Sequence, residues 1–418
     1  MLLPTPPPPS DDDGDATTRW VAEHLGDLTL EGPEGVRRGG FTGGQSAADA
    51  ALATLDVRGY ASRRSVVLPV ERRGASRMSP YVRHGLVTLP ELWDAVDDAP
   101  SRDREKYRDE LLWQEYARHL YARVGGASGR SLRHDQPRPG LWDEPWPREM
   151  ACMDAVVGEL EDEGWLVNQT RMWMASQWAV RAGHEWRYGE DAFFRHLLDG
   201  SRAANRLGWQ WTVGTGSGRP YGFSRWQVEK RAPELCAGCA LRDACPVQGW
   251  PDAEVGPRVE GPDLGKGPIP SGPTEVEGEP GSAETVWLTA ESLGESDPAL
   301  AAEDDRPAVF VLDEPLLATL RLSGKRLVFL ADTLGDLATR REVEVRRGVV
   351  AEELAGRSLA VTHAPVPGFA RRAAAVEPAE VHPWPWLVQP RPATVRSFTA
   401  WRRSVDAPAP ARKPRRRR

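Results

Sequence analysis

The sequence predicts an α + α/β chain: a large all-helical domain followed by a small parallel α/β domain. Three observations carry this. Between Arg19 and Val247 the apolar residues recur mostly at helical spacing; Met153, Val156, Val157 and Leu160, for example, fall at i, i+3, i+4 and i+7. Residues 251–283 are rich in Pro, Gly and Glu, with almost no apolar content, as in a linker. Beyond them the short apolar runs Glu284–Leu288, Ala308–Leu312 and Arg326–Leu330 alternate with helix-like stretches at Leu316–Leu322 and Asp332–Arg341. Strands alternating with helices predict a parallel layer.

In chain order, residues 1–18 are Pro- and Asp-rich and read as disordered. Residues 19–250 form the helical domain. There Gly164 stops the helix carrying Met153 to Leu160. Met172–Val180 and Asp191–Leu198, rich in aromatics and Met, read as helices inside a large all-α domain. The linker follows, then the α/β domain at 284–403. Residues 404–418 end in the basic run Lys413–Arg418 and read as a flexible tail.

The 418 residues suffice for two domains. Seventeen Trp is a high count, and indoles are anchors, stacking surfaces and redox-capable groups. A net charge of −7 argues against indiscriminate nucleic-acid binding. Yet between Arg58 and Arg83 the only acid is Glu71, against seven Arg, so a local basic face can hold phosphates. Met1–Ser10 lacks the features of a signal peptide, and no apolar run approaches a membrane span. The expectation is a cytoplasmic protein with no membrane partner. Its four Cys are not expected to form structural disulfides.

Two segments carry a resemblance. They read G-W-L-V-N-Q-T-R-M from Gly164 to Met172, and W-R-Y-G-E-D-A-F-F-R-H-L-L-D-G-S-R-A-A-N-R-L-G-W-Q-W from Trp186 to Trp211. This stretch resembles the flavin-binding helical domain of DNA photolyases and cryptochromes. Further on, W-L-T-A-E-S-L-G-E-S-D-P-A-L-A-A from Trp287, P-A-V-F-V-L-D, R-L-V-F-L-A-D-T-L-G-D-L and V-R-R-G resemble that family's N-terminal α/β antenna domain, and V-R-S-F-T-A-W-R-R from Val395 resembles the stretch that leaves it toward the helical domain. Here that domain comes second, as in a circular permutation cut within the interdomain connection. It lacks the Arg-rich start of the family's first strand and loop, so the resemblance leaves an antenna pigment undecided.

The resemblance implies FAD as cofactor. By match, Ser76, Arg77, Met78 and Ser79 belong to the phosphate loop, in a segment whose small and hydroxyl residues precede a helix start. Tyr60, Tyr107, Arg171 and Asp199 match further flavin contacts, and Asn205 matches the residue facing flavin N5. Gln114 stands where the family usually has an Arg, and Ser201 where it has a second acid. Trp209 and Trp186 match the inner and middle members of an electron-supplying chain. For its outer member Trp142, Trp146, Trp173 and Trp178 remain open. Glu110, Trp113, Asn168, Met172 and Trp211 match the contacts to a flipped-out lesion. The implied activity is light-dependent repair of cyclobutane pyrimidine dimers by a monomer acting on damaged DNA. The alternative is a cryptochrome-like blue-light sensor without repair.

Cys236, Cys239 and Cys245 read C-A-G-C-A-L-R-D-A-C-P, with Cys152 far upstream. Soft thiolates at this spacing suit iron–sulfur or zinc. With a distant fourth Cys, the pattern resembles the [4Fe-4S] branch of bacterial photolyases. Zinc and free thiols stay as alternatives.

Overall fold

Ser101–Val124 is the longest helix of the computed structural model, which describes residues 1–10, 15–137, 141–251, 253–366 and 368–405. Pro100 precedes it, and Gly125, at φ 52°, ends it where an L side chain would be strained. Against it pack Arg202–Val213, Tyr60–Arg63 and Leu89–Ala95, and Arg202–Val213 in turn meets Asn168–Ala175 and Trp186–His196, which pack on Ala151–Glu163. The helix Asn168–Ala175 runs on into a π-helical turn, Ser176–Arg181. Gly164 ends Ala151–Glu163 in the left-handed region, as its position in the sequence predicts.

The strands are β1 Leu2–Leu3, β2 Lys266–Gly267, β3 Glu277–Gly278, β4 Thr285–Leu288, β5 Ala308–Asp313, β6 Val343–Gly348, β7 Leu359–Thr362, β8 Glu380–His382 and β9 Ala393–Thr394. The main sheet has the order β1-β6-β5-β4-β7-β8-β3. Its five central strands are parallel, with Val286 opposite Ala308 and Ala308 opposite Val343. Counted along the chain they stand 3-2-1-4-5, a doubly wound arrangement whose order reverses between β4 and β7. β1 and β3 close the two edges antiparallel.

Four sequence expectations are corrected. Arg326–Leu330 is not a strand but part of the helix Gly324–Ala338. That helix is buried on nearly every side: Phe329 meets Tyr81 and His84 of the helical domain, while its other contacts include Ala16–Leu25 and β6. A helix wrapped all round reads like a strand over five residues. Residues 1–18 are not wholly disordered. Leu2 and Leu3 pair with Arg346 and Val345, and a helix starts at Ala16; Asp11–Gly14 lie outside the described residues. The expected linker 251–283 is tied down instead: Arg123 donates to Gly265 O (2.7 Å), and β2 and β3 pair with β9 and β8. Of the expected tail, Ser404 closes the helix Phe398–Ser404, and residues 406–418 lie outside the described residues.

The two parts share one continuous core. Arg326 is buried and donates to Phe194 O and Gly200 O of the helical domain. Burial pulls its pKa down to about 9. Among the described residues no helix is long and apolar enough to cross a membrane.

Candidate active site and thiol cavity

Ser201 caps the helix Arg202–Val213 by accepting from Ala204 N (3.4 Å). One turn apart on that helix, Asn205 and Trp209 both face the interior. The Asn205 side-chain amide nitrogen and the Trp209 indole N–H are buried without a hydrogen-bond partner among the described residues. Just before the helix, Asp199 takes both ends of the Arg171 guanidinium at 3.1 and 2.7 Å, and Arg171 Nε donates to Leu166 O. The turn is held from outside by Arg83, whose Nε donates to Gly200 O (2.8 Å). A Cβ at Gly200 would lie 2.8 Å from both Leu197 O and Arg326 Nη1, so the turn has no room for a side chain.

Tyr60 packs edge-on against Tyr107, centroids 5.1 Å apart, and the Tyr107 hydroxyl reaches Ser76 Oγ (3.4 Å). Burial pushes the Tyr107 hydroxyl up to about 12. Met78 is buried. Arg77, at φ 58°, lays its guanidinium over Phe41 (4.3 Å) and Trp165 (5.0 Å) and donates to Gly40 O. Ser79 Oγ accepts from Trp165 Nε1 (2.9 Å). In this structure Arg77 and Ser79 therefore hold the incoming 40–41 segment and Trp165. Gln114 is half-buried on the long helix.

The lesion-pocket residues come from three helices. Glu110 bonds Lys106 (2.7 Å) and Arg64 (3.3 Å). Trp113 is stacked on Phe398 at 4.0 Å and 14°. Asn168 is exposed at the start of its helix and Met172 half-buried one turn later. Trp211 is 44% exposed and leans on Tyr221, centroids 5.5 Å apart. The cover that Phe398 places on Trp113 escaped the sequence reading, because nothing local to either residue signals it.

Among the four tryptophans left open, the rings single out two. A Cβ on Gly189 would lie 2.8 Å from Trp209 Cζ3 and 2.9 Å from Trp178 Cδ2, so both indoles close on that glycine. Trp178 meets Trp146 at 4.7 Å. Trp146 is half-buried and near the surface. Trp173 turns toward Phe223 instead (6.1 Å), and Trp142 holds Ala182 O through its backbone. Trp186 is buried, with its backbone N–H on Gln136 Oε1 (2.9 Å).

All four cysteines line one small cavity, walled by Met150, Val228, Leu235 and Leu241. The first turn of Ala151–Glu163 supplies Cys152, the short helix Pro233–Ala237 supplies Cys236, and the turns after it supply Cys239 and Cys245. Burial, reinforced by the neighbouring thiols Cys236, Cys245 and Cys239, pushes Cys152 up to about 12. Burial also raises Cys236. Among the described residues no three His, Cys, Asp or Glu side chains already converge as ligands of one ion.

Residues 107–230 match the family described as the FAD binding domain of DNA photolyase. The deoxyribodipyrimidine photo-lyase of Vibrio cholerae is 30% identical over 165 residues, 36% of this chain and 35% of that protein. That of Thermus thermophilus is 33% identical over 165 residues, 35% of this chain and 37% of that protein. A class III photolyase of known structure from Agrobacterium tumefaciens is 24% identical and covers 46% of this chain and 43% of that one, with a TM-score of 0.39. The matched region spans about a third of the length of these curated relatives. Residues 107–230 are thus similar to the flavin-binding domain of the photolyase/cryptochrome family.

Proposed function

We propose that the chain is a light-dependent DNA lyase that splits cyclobutane pyrimidine dimers with FAD bound in the helical domain. The observation that carries this is the Asn205 amide. A buried donor without a partner costs about 1–3 kcal/mol, and here it lies within the segment that matches the flavin domain. A ring nitrogen of the flavin is the partner it lacks, so the residues present fit the cofactor. When bound and excited in its reduced form, the flavin supplies one electron to the substrate and takes it back after the ring opens.

The chain's own residues position and protect. Arg171 and Asp199 brace the turn from which Asn205 rises. Tyr60, Tyr107 and Ser76 offer hydroxyls for ribityl or phosphate oxygens. Trp211 keeps an open face for an extruded base. Glu110, paired with Lys106 and Arg64, can accept from a base edge. Trp178 and Trp146, with Trp209, form the route along which this chain refills its flavin.

The thiol cavity supports a [4Fe-4S] cluster. Four thiols share one cavity, the soft donor set that such a cluster takes. The α/β domain after the flavin domain, with five parallel strands in 3-2-1-4-5 order, supports the permuted arrangement.

The second reading, a photosensor without repair, is favoured by the Phe398 ring on Trp113. Purified protein showing flavin absorption and restoring dimer-containing oligonucleotide only in blue light supports repair. Flavin without light-dependent restoration supports the sensor. A preparation that takes up no flavin ends both.

A further inference from the structure

Of the seventeen tryptophans, three are exposed among the described residues: Trp211 at 44%, and Trp226 and Trp250 at 58% each. All fall within forty residues of sequence, and the structure links them. Tyr221 leans on Trp211, and its hydroxyl accepts from Gln169 (3.1 Å) and Gln227 (2.8 Å), the neighbour of Trp226. Trp250 lies against the backbone of Gly222, where a Cβ would come 3.2 Å from its Cε3. On the helix Arg225–Arg231, Lys230 Nζ stands 4.8 Å over the Trp226 ring. The inner face of that same helix, at Arg225 and Val228, walls the thiol cavity.

The chemistry of this ridge selects its occupant. None of the exposed large apolar residues between 211 and 250 is aliphatic. Aromatic faces with a lysine ammonium over one ring, and exposed Arg219 nearby, suit π-faced bases strung on phosphates better than an apolar protein surface. Glu229, the acid on that helix, is engaged by Arg225 (2.8 Å).

We propose that Trp226 and Trp250 extend Trp211 and Tyr221 into an aromatic ridge that stacks unpaired bases of a DNA strand outside the lesion pocket. The proposal rests on the reading of DNA as substrate, and names a surface that reading does not include. The thiol cavity is then its footing: whatever fills that cavity fixes the helix that presents Trp226.

Anisotropy with labelled oligothymidylate, free of lesions, tests it, beside an undamaged duplex of equal length. Trp226→Ala and Trp250→Ala are each expected to weaken oligothymidylate binding about tenfold, with little change on duplex. Trp226→Phe, which keeps a π-face, should retain most of the affinity. Lys230→Gln should lower the salt slope by about one. Melting temperature and flavin content of each variant report on folding. Wild-type affinity in both alanine variants, or equal losses on duplex and single strand, overturns the proposal. So does sedimentation showing a dimer that these substitutions dissolve, which gives the ridge to a second copy. If light-dependent repair is absent while the oligothymidylate losses appear, the repair reading fails and the ridge stands.

Discussion

The ring of Phe398 lies parallel to that of Trp113, centroids 4.0 Å apart, and so fastens the end of the α/β domain to the longest helix of the flavin domain. Tyr116 and Trp401 pack around the pair. Phe398→Ala should cost about 3–5 kcal/mol, as for other buried aromatic truncations, read as a lower urea midpoint. It should also uncover Trp113. A rise in affinity for dimer-containing DNA would mark Phe398 as a cover, and no change would mark it as packing alone.

Asn205→Ala separates cofactor from fold. The amide nitrogen it removes has no partner among the described residues, so stability without flavin should change little. Flavin retained after gel filtration should fall several-fold, because the ring loses its donor. A variant that keeps full flavin but melts early would place Asn205 in the core only.

Glu115 predicts a pH dependence of stability. It is fully buried, and desolvation pushes its carboxyl up to about 7 although Val388 N–H donates to Oε1 (2.9 Å). Arg118 and His119 stand 3.9 Å away. The folded chain then binds a proton more tightly than the unfolded one, for which 4.5 is the ordinary value. The contribution is most favourable below that value and is lost as pH climbs toward 7 and beyond, a span on the order of 3 kcal/mol. Glu115→Gln should flatten this slope and raise the melting temperature at pH 8.

The thiols should betray their occupant. With the cavity filled, iron analysis and a broad absorption near 400 nm accompany the protein, and Cys239→Ser removes both. With it emptied by chelation, Cys152 should alkylate slowly at pH 8. Its pKa near 12 leaves little thiolate, and burial limits access. Rapid, equal alkylation of all four would mean that the cavity opens when empty.

Photoreduction tests the route through Gly189. Trp178→Phe and Trp146→Phe should each slow light-driven reduction of bound flavin by a thiol reductant at least tenfold, while chemically reduced protein repairs as before. Loss only in Trp186→Phe would return the path to the residue that the sequence match selects.

Much of the site was legible because its chemistry is written in short local strings. Asp199 and Asn205 fall on one turn and the helix it opens, and Arg171 on a short helix upstream, where local spacing fixes direction. Cys152 was harder, yet helical periodicity put it at the head of Ala151–Glu163, and the structure brings it to the other three. Arg326–Leu330 misled because four consecutive apolar residues carry no period of their own. The partners of Arg77 and Trp113 were out of reach of the sequence. Phe41, Trp165 and Phe398 meet them only through tertiary packing.

β1 has a consequence for how the chain is made. Leu2 and Leu3, the earliest residues of the sheet to leave the ribosome, must wait for Val345 and Arg346 before they find a neighbour. The flavin domain emerges between them and can compact first, while its far partner Phe398 arrives among the last. Closure of the molecule is therefore a late, long-range event of the slow kind, and a bulky tag fused before Leu2 would burden that seam more than the cofactor pocket.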